Sequence, residues 1–586
     1  MRTLVETGVL VGESGASRLG QALPTIQVPA TVQAVLAARI DRLPPEDKRL
    51  LQTAAVIGTE VSLPLLQTIA EVLEDALRRG LAHLQAAEFL YETRLFPEPE
   101  YTFKHALTHE VAYGSLLLER RRLLHARIVE ALEGLSPDRL GEHADRLAHH
   151  ALRGELWDKA VTYCQQAGEK AMARSAHHEA AESFEQALSA LPYLPETRDT
   201  REQAIDLRLA LRSALLPSGD WDRSLAALRE AEALAVILDD PRRLGRVSLF
   251  LSTHFRYRGA YDQAIATAQR ALALATAHED VVLHALANQI LGIAYQFQGD
   301  SRRAIDCLRQ TLASLDGARR HEHFGYINLP AVSSRAYLAW CHAELGTFAE
   351  GRAFGDEGLQ IAEAVDQPHS LIRVSWGMGL LSLRQGDLYR ALPLLERAMG
   401  LCQDADIPGL FPEMAAALGA AYTLAGRTAD TVLLLTQAID QTMATAMISS
   451  QALCRLSLGE AHLLASRLDE AHTLADGALT LARQHQERSN EAYALRLLGD
   501  IAAHRAPPDV AQAEAHYQQA RALAEALGMR PLQAHCHRGL GTLYVTTGQR
   551  EQARPELSTA IALYRAMEMT FWLPQTEAAL AQVEGQ

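Results

Sequence analysis

The stretch Leu291-Gly-Ile-Ala-Tyr295-Gln-Phe-Gln-Gly299-Asp300-Ser-Arg-Arg-Ala304-Ile-Asp-Cys-Leu308-Arg-Gln-Thr311 decides the fold. Ala304, Leu308 and Thr311 fall at i, i+4 and i+7, which puts one stripe of small and apolar side chains on one helix face. Gly299 suits the left-handed position that ends a helix, and Asp300 is a capping residue for the next one. The stretch therefore predicts a helix, a tight turn and an antiparallel helix. Gly-Asp returns at 219–220 and 386–387, and a lone glycine at 259, 346, 426 and 548. A small residue five places past the turn lets the two backbones approach closely. Ala304→Leu is expected to overpack that contact by roughly 1–3 kcal/mol.

Working outward, the same small residue recurs at Ser224, Ala264, Ala304, Gly351, Ala391, Thr431, Ala471, Ala513 and Ala553. The steps are 40, 40, 47, 40, 40, 40, 42 and 40 residues. Seven residues after each marker stands a second one: Ala231, Ala271, Thr311, Gly358, Ala398, Ala438, Ala478, Ala520 and Ala560. A fixed period of this length signals stacked supersecondary units. The units resemble tetratricopeptide repeats on Leu291-Gly292-Tyr295, Leu418-Gly419-Tyr422, Leu540-Gly541-Tyr544 and, less fully, Leu458-Gly459-His462. That family's early tryptophan is missing and the period is nearer 40 than 34, which implies longer helices. Ala160 and Ala180 extend the array upstream but lie 20 apart, which leaves the register there open.

Apolar residues make up 48% and charged residues 22% of 586, a globular balance. The net charge of −15 opposes non-specific binding to nucleic acid or to an anionic membrane face. Six scattered cysteines without a CxxC pair fit structural thiols in a reducing compartment. No signal-peptide pattern opens the chain and no stretch of about 18 residues is apolar enough to span a bilayer. The expected location is cytoplasmic, without membrane contact.

Residues 28–130 do not follow the beat. Val28–Leu43 reads as a helix stopped by Pro44-Pro45, followed by a helix over Glu46–Ile57 and two short ones between Leu63 and Ala87. Glu88–Lys104 is aromatic and β-branched in parts, with Pro97 and Pro99 at its turn, and reads as a hairpin wing. A helix resumes from Ala106 to Leu118.

This region resembles the segment after the nucleotide-binding module in bacterial signalling ATPases of the STAND type. The likeness is to large proteins that carry a class III adenylate/guanylate cyclase, an ATPase and helical repeats. It rests on Val28-Pro-Ala-Thr-Val-Gln-Ala-Val-Leu-Ala-Ala-Arg39-Ile-Asp41-Arg-Leu-Pro44, on Leu51-Gln-Thr-Ala-Ala-Val-Ile-Gly58, and on Tyr101-Thr-Phe-Lys-His105-Ala-Leu-Thr-His109-Glu110-Val-Ala-Tyr113. The resemblance implies a winged helix that links ATPase to repeats, with the chain beginning near the expected end of the ATPase. The expected fold is mainly α: a β-hairpin remnant at 1–27, a winged-helix-like domain at 28–130, and a right-handed α-solenoid of tetratricopeptide-like hairpins at 131–586.

No chemistry is expected. Gly15 to Gly20 has the GxxxxG spacing of a phosphate loop, but Gln21-Ala22 stand where the Lys and Ser/Thr must be, which favours a glycine-turned hairpin. His105 and His109 are i, i+4 beside Glu110, yet the order is not HExxH, and a helix packed on the wing explains them better. Adjacent histidines such as His149-His150 are expected in a chain with 23 of them. Phe354-Gly-Asp356, similar to a cyclase metal motif, falls on a repeat helix. No catalytic residue, cofactor or metal site is assigned. The basic run Glu119–Arg127 and the cluster Arg242, Arg243 and Arg246 read as solvated helix faces; DNA contact through the wing is the alternative they raise.

The repeat family lines its concave face with polar and aromatic residues of each first helix. Carried onto this chain, that frame gives Arg246, Arg256, Tyr257, Gln289, Gln296, Trp340, Trp376 and Arg384 as partner-binding residues. For Trp340 and Trp376, filling gaps between repeats is an equal reading. The leading function is a non-catalytic scaffold and sensor that holds a protein or peptide segment, including an ATPase or cyclase module of its own or a neighbouring chain. A fragment of an enzyme encoded upstream and a DNA-binding regulator are the other readings.

Overall fold

The computed structural model describes residues 10–11, 18–19, 30–94, 99–135, 137–315, 317–324, 328–405 and 407–585. Leu10–Val11 (β1) pairs antiparallel with Arg18–Leu19 (β2). The glycines of the phosphate-loop reading, Gly15 and Gly20, lie outside the described residues. Two compact units follow from the chain's contacts: Met1–Arg174 with Glu182–Glu196, and Ser175–Ala181 with Thr197–Gln586.

In the first unit α1 (Ala30–Asp41) ends before Pro44-Pro45, and α2 (Pro45–Ile57) begins on Pro45, whose fixed φ and missing N–H suit a helix start. α3 (Leu63–Ala70) and α4 (Glu74–Ala86) follow. The wing is β4 (Leu90–Arg94) against β5 (Glu100–Phe103), with Leu90 opposite Phe103. A short strand that the sequence did not suggest, β3 (Glu60–Ser62), pairs with the other edge of β5. Alternation along β5 buries Tyr101 and Phe103. These helices and the three-stranded sheet form the expected winged-helix-like region, with Leu51, Val61, Leu66 and Leu84 in its core. After α5 (Ala106–Gly114) comes α6 (Leu118–Leu135), a continuous helix, so the expected boundary at 130 falls inside it. α7 (Ala144–Arg153), α8 (Trp157–Ala173) and α9 (His177–Ala190) lead to the second unit.

That unit is a run of helical hairpins. Its first helices are α10 (Arg198–Leu215), α12 (Pro241–Tyr257), α14 (Val281–Gln298), α16 (Pro330–Leu345), α18 (Pro368–Gln385), α20 (Phe411–Leu424), α22 (Gln451–Leu464), α24 (Arg488–His504) and α26 (Arg530–Thr546). Its second helices are α11 (Trp221–Ile237), α13 (Tyr261–Ala277), α15 (Ser301–Ser314), α17 (Phe348–Val365), α19 (Leu388–Asp404), α21 (Thr428–Ala444), α23 (Leu468–Gln484), α25 (Val510–Leu527) and α27 (Arg550–Ala566), with α28 (Leu573–Glu584) last. All eighteen small markers lie on second helices, and every one is buried. Helices of 14 to 18 residues and their connections account for the 40-residue period. The 47-residue step holds a 3-10 turn at Gly317–His321.

The turn chemistry is as expected. Gly299 is left-handed at φ 98° and Asp300 Oδ1 accepts from the Arg303 N–H at 3.1 Å; Asp220 and Asp387 cap the same way. The Leu-Gly glycines are needed for contact. A Cβ on Gly292 would stand 2.8 Å from Leu308, on Gly419 2.8 Å from Leu435, and on Gly541 2.6 Å from Leu557, each on the partner helix. Among the described residues no helix is long and apolar enough to cross a membrane.

Candidate functional site

First and second helices differ in what surrounds them. α15 buries Ser301, Ala304, Ile305, Leu308 and Thr311, a single stripe. α16 buries all but Trp340 and Leu345 of its residues, and α18 buries Ser370 through Leu383 without a break. Around the turns of the hairpins, helix ends meet segments far along the chain, closing the repeat coil on itself. The Tyr257 carbonyl accepts from the Ile448 N–H at 2.9 Å, and Trp221 Nε1 donates to the Thr445 carbonyl at 2.5 Å. Tyr261 Oη donates to Glu487 Oε1 at 2.8 Å across 226 residues of sequence. One apolar cluster joins Ala339, Phe348 and Leu381 to Tyr564, Met567 and Trp572.

Polar groups carried by such helices must find partners inside. Arg373 and Glu413 form a buried ion pair, with the guanidinium over the rings of Tyr337 and Trp376 at 5.6 and 5.5 Å. Glu344 is buried and gathers three donors: Trp340 Nε1 at 3.0 Å, Arg384 Nε at 3.3 Å and Tyr493 Oη at 2.6 Å. Burial raises the Glu487 carboxyl to about 7, against the donors Asn490 and Tyr261 that favour its ionised form. Arg256 has aromatic faces in place of a carboxylate, Tyr257 at 4.1 Å and Phe297 at 5.0 Å. Ring contacts run on from Phe297 to Trp340 at 5.3 Å and from Trp340 to Trp376 at 5.4 Å. Three buried N–H groups here have no acceptor among the described residues: Arg256 Nη1, Gln296 Nε2 and Trp376 Nε1.

The structure thus brings six of the eight expected residues, Arg256, Tyr257, Gln296, Trp340, Trp376 and Arg384, into one inner cluster. It corrects their setting. Arg256, Gln289, Gln296 and Trp376 are buried, and Tyr257, Trp340 and Arg384 are half-buried, because the closed coil fills its own inner face. A recess of about 30 Å³ between Arg384, Glu460 and Tyr493 has room for one water. Gln289 is committed to the next hairpin, donating to the Pro330 carbonyl at 3.0 Å. Arg246 stands apart, half exposed, with Asp206 at 3.5 Å. Arg373, Glu413, Glu344 and Tyr493 escaped the sequence reading. Their signal is a charge inside an otherwise apolar run, as in Leu371-Ile-Arg373-Val and Phe411-Pro-Glu413-Met.

In the first unit His109 packs edge-on against Phe103 of the wing, with ring centroids 5.1 Å apart. The basic run is largely engaged: Arg122 pairs with Glu119 and Glu155, Arg127 with Glu71, and Arg121 covers the Tyr113 ring. Arg242 and Arg243 likewise face Asp280 and the acids Glu202, Asp206 and Asp240. The rings of His125, His149 and His150, on α6 and α7, converge with one nitrogen of each within 4.8 Å of the others. His125 and His149 stand 24 positions apart, so no sequence spacing announced the cluster.

A tetratricopeptide-repeat family model matches residues 508–566. Among curated proteins, an uncharacterized protein of Rhizobium meliloti (strain 1021) is 31% identical over 186 residues, which are 32% of this chain. The match spans only 18% of that relative's length. Among solved structures, a Rap protein complexed with competence and sporulation factor aligns over 63% of this chain and 98% of its own, at 14% identity and a TM-score of 0.47. The Cut9-Hcn1 hetero-tetramer of APC/C aligns over 89% and 95%, at 13% and 0.44. A STAND protein of Pyrococcus horikoshii with a tetratricopeptide repeat sensor aligns over 96% and 68%, at 11% and 0.31.

Proposed function

We propose that this chain is a non-catalytic scaffold and sensor whose repeat coil grips a protein or peptide segment along its inner face. The observation that carries the reading is the trio of unaccepted donors, Arg256 Nη1, Gln296 Nε2 and Trp376 Nε1, set among aromatic rings. Each buried N–H without an acceptor costs about 1–3 kcal/mol, and a ligand that brings oxygen acceptors recovers it. Donors of this kind suit the carbonyls and carboxylates of an extended peptide. The inter-turn contacts at Tyr257 and Tyr261 must part for such a ligand to enter, so binding and opening of the coil are one event.

The finer reading is the regulatory portion of a STAND-type signalling ATPase or of a cyclase-linked relative, with nucleotide chemistry supplied by a module outside residues 1–586. It is supported by the likeness over residues 28–44, 51–58 and 101–113. Purified chain that hydrolysed a nucleotide unaided would refute the non-catalytic part.

Peptides selected from a random library on the full chain test the groove. Trp376→Phe keeps the ring and removes the donor, and Arg256→Gln removes the charge. Selected peptides are expected to bind each variant about tenfold more weakly, the worth of one hydrogen bond in a dry site. Unchanged affinity for both, with circular dichroism showing a native fold, overturns the placement.

A further inference from the structure

Three imidazoles meet in the first unit. His125 lies on α6, and His149 and His150 are consecutive on α7. Neighbours on a helix point about 100° apart, so both reach one partner only where it lies between their directions. His125 does. Ring centroids are 5.1 Å apart for His125 and His150, 5.2 Å for His149 and His150, and 5.9 Å for His125 and His149. His125 Nδ1 and His150 Nδ1 stand 2.8 Å apart. Both rings are buried, whereas His149 opens to solvent.

The outer side of the cluster is built too. Tyr113 Oη lies 3.1 Å from His125 Nε2, which fixes that ring and turns its Nδ1 to the centre. Burial first, then neighbouring His149, Arg153 and Arg121, hold the His125 imidazolium down to about 4. Burial, His125, His149 and Arg146 hold His150 down to about 2.

We propose that His125, His149 and His150 form a three-imidazole site for a borderline divalent transition-metal cation, with zinc the ion its geometry suits. Tetrahedral zinc with Zn–N bonds of about 2.0–2.1 Å sets ligand nitrogens about 3.3 Å apart. The buried pair reaches that spacing by opening a few tenths of an ångström, and His149 reaches it by rotating its exposed ring inward. Three protein ligands leave the fourth position to solvent on the His149 side. The cluster contains no oxygen ligand, which excludes magnesium and calcium. Arg121, Arg146 and Arg153 oppose any cation not held by strong nitrogen bonds, and they favour an anion in the fourth position.

Full-length chain stripped with a chelator is dialysed against zinc and its metal content measured. One zinc per chain is expected, and cobalt(II) in its place is expected to give the visible absorption of a tetrahedral site. His149→Asn alters an exposed side chain and leaves the buried pair in place; it is expected to weaken zinc binding by more than about tenfold. His125→Gln should abolish binding, whereas His321→Asn with His323→Asn should leave it unchanged. Stripped chain that takes up no stoichiometric zinc, or His149→Asn chain that binds it as tightly as the parent, overturns the proposal. The three rings are then a packing unit, in which the Tyr113 hydroxyl donates to His125 and His125 to His150.

Discussion

The second helices of the coil are each buried on one stripe, and the first helices α14, α16, α18 and α20 on nearly every side. α25 buries Ala513, Tyr517, Ala520, Ala524 and Leu527 and leaves the remainder to solvent or the rim. α16 buries Arg335, His342 and Glu344 along with its apolar residues. The difference teaches where an error in this protein would cost most. On a second helix a polar substitution outside the stripe meets water, whereas the buried charges Arg335, Glu344, Arg373 and Glu413 of α16, α18 and α20 each hold a partner that their removal strands.

Four measurements sharpen or break that contrast. The largest effect is expected at Glu413: Glu413→Leu strands Arg373 as a buried, unpaired charge and should cost about 3–5 kcal/mol in urea unfolding. Replacing Arg373 with Met in the same chain should recover most of the loss. A double variant as unstable as the single one would show that the pair is not what the first helices depend on.

Next comes the inter-turn contact of Tyr261 with Glu487. The folded carboxyl titrates at about 7, above its ordinary value near 4.5, so the fold binds the extra proton between those values. Its contribution is complete below pH 4.5 and is lost as pH rises towards 7, by up to about 3 kcal/mol. Glu487→Gln should flatten that slope in stability measured from pH 4.5 to 7. A slope unchanged by the substitution removes Glu487 as its source.

On the second helices, Ala304→Leu pushes a side chain into the α14–α15 contact and should lower stability by roughly 1–3 kcal/mol. Leucine at the exposed Gln310 of the same helix should change it by less than about 0.5 kcal/mol. Equal effects at the two positions would contradict the single buried stripe.

The smallest expected difference separates two left-handed glycines. A Cβ at Gly299 would meet the Ser489 backbone N at 2.8 Å, whereas Gly317 has nothing within 4 Å. Both alanine variants carry backbone strain of about 1 kcal/mol, and Gly299→Ala should cost more because it also parts two turns of the coil. Equal melting points would show that the coil does not close at this point.

Much of the architecture was legible because it repeats. Small residues every 40 positions, Gly-Asp turns and Leu-Gly pairs are local requirements of close helix contact, and each leaves its mark within about twenty residues. Pro44-Pro45 and the aromatic hairpin marked the elements of the first unit equally well. β3 is three residues long and escaped, since its pairing with β5 joins segments forty residues apart. The inner cluster was half legible. Its aromatic and arginine members stand out on first helices, but the carboxylates that hold some of them come from other repeats.

By itself the sequence determined a stack of antiparallel helical hairpins that follows a small helix-and-sheet region along the chain, because helix period, turn conformation and capping act between near neighbours. Only the tertiary structure decided that the coil closes on its own inner face, which arginines are paired, and that His125 meets His149 and His150. Those outcomes depend on the angle accumulated from one hairpin to the next and on how helices cross, which no local spacing records.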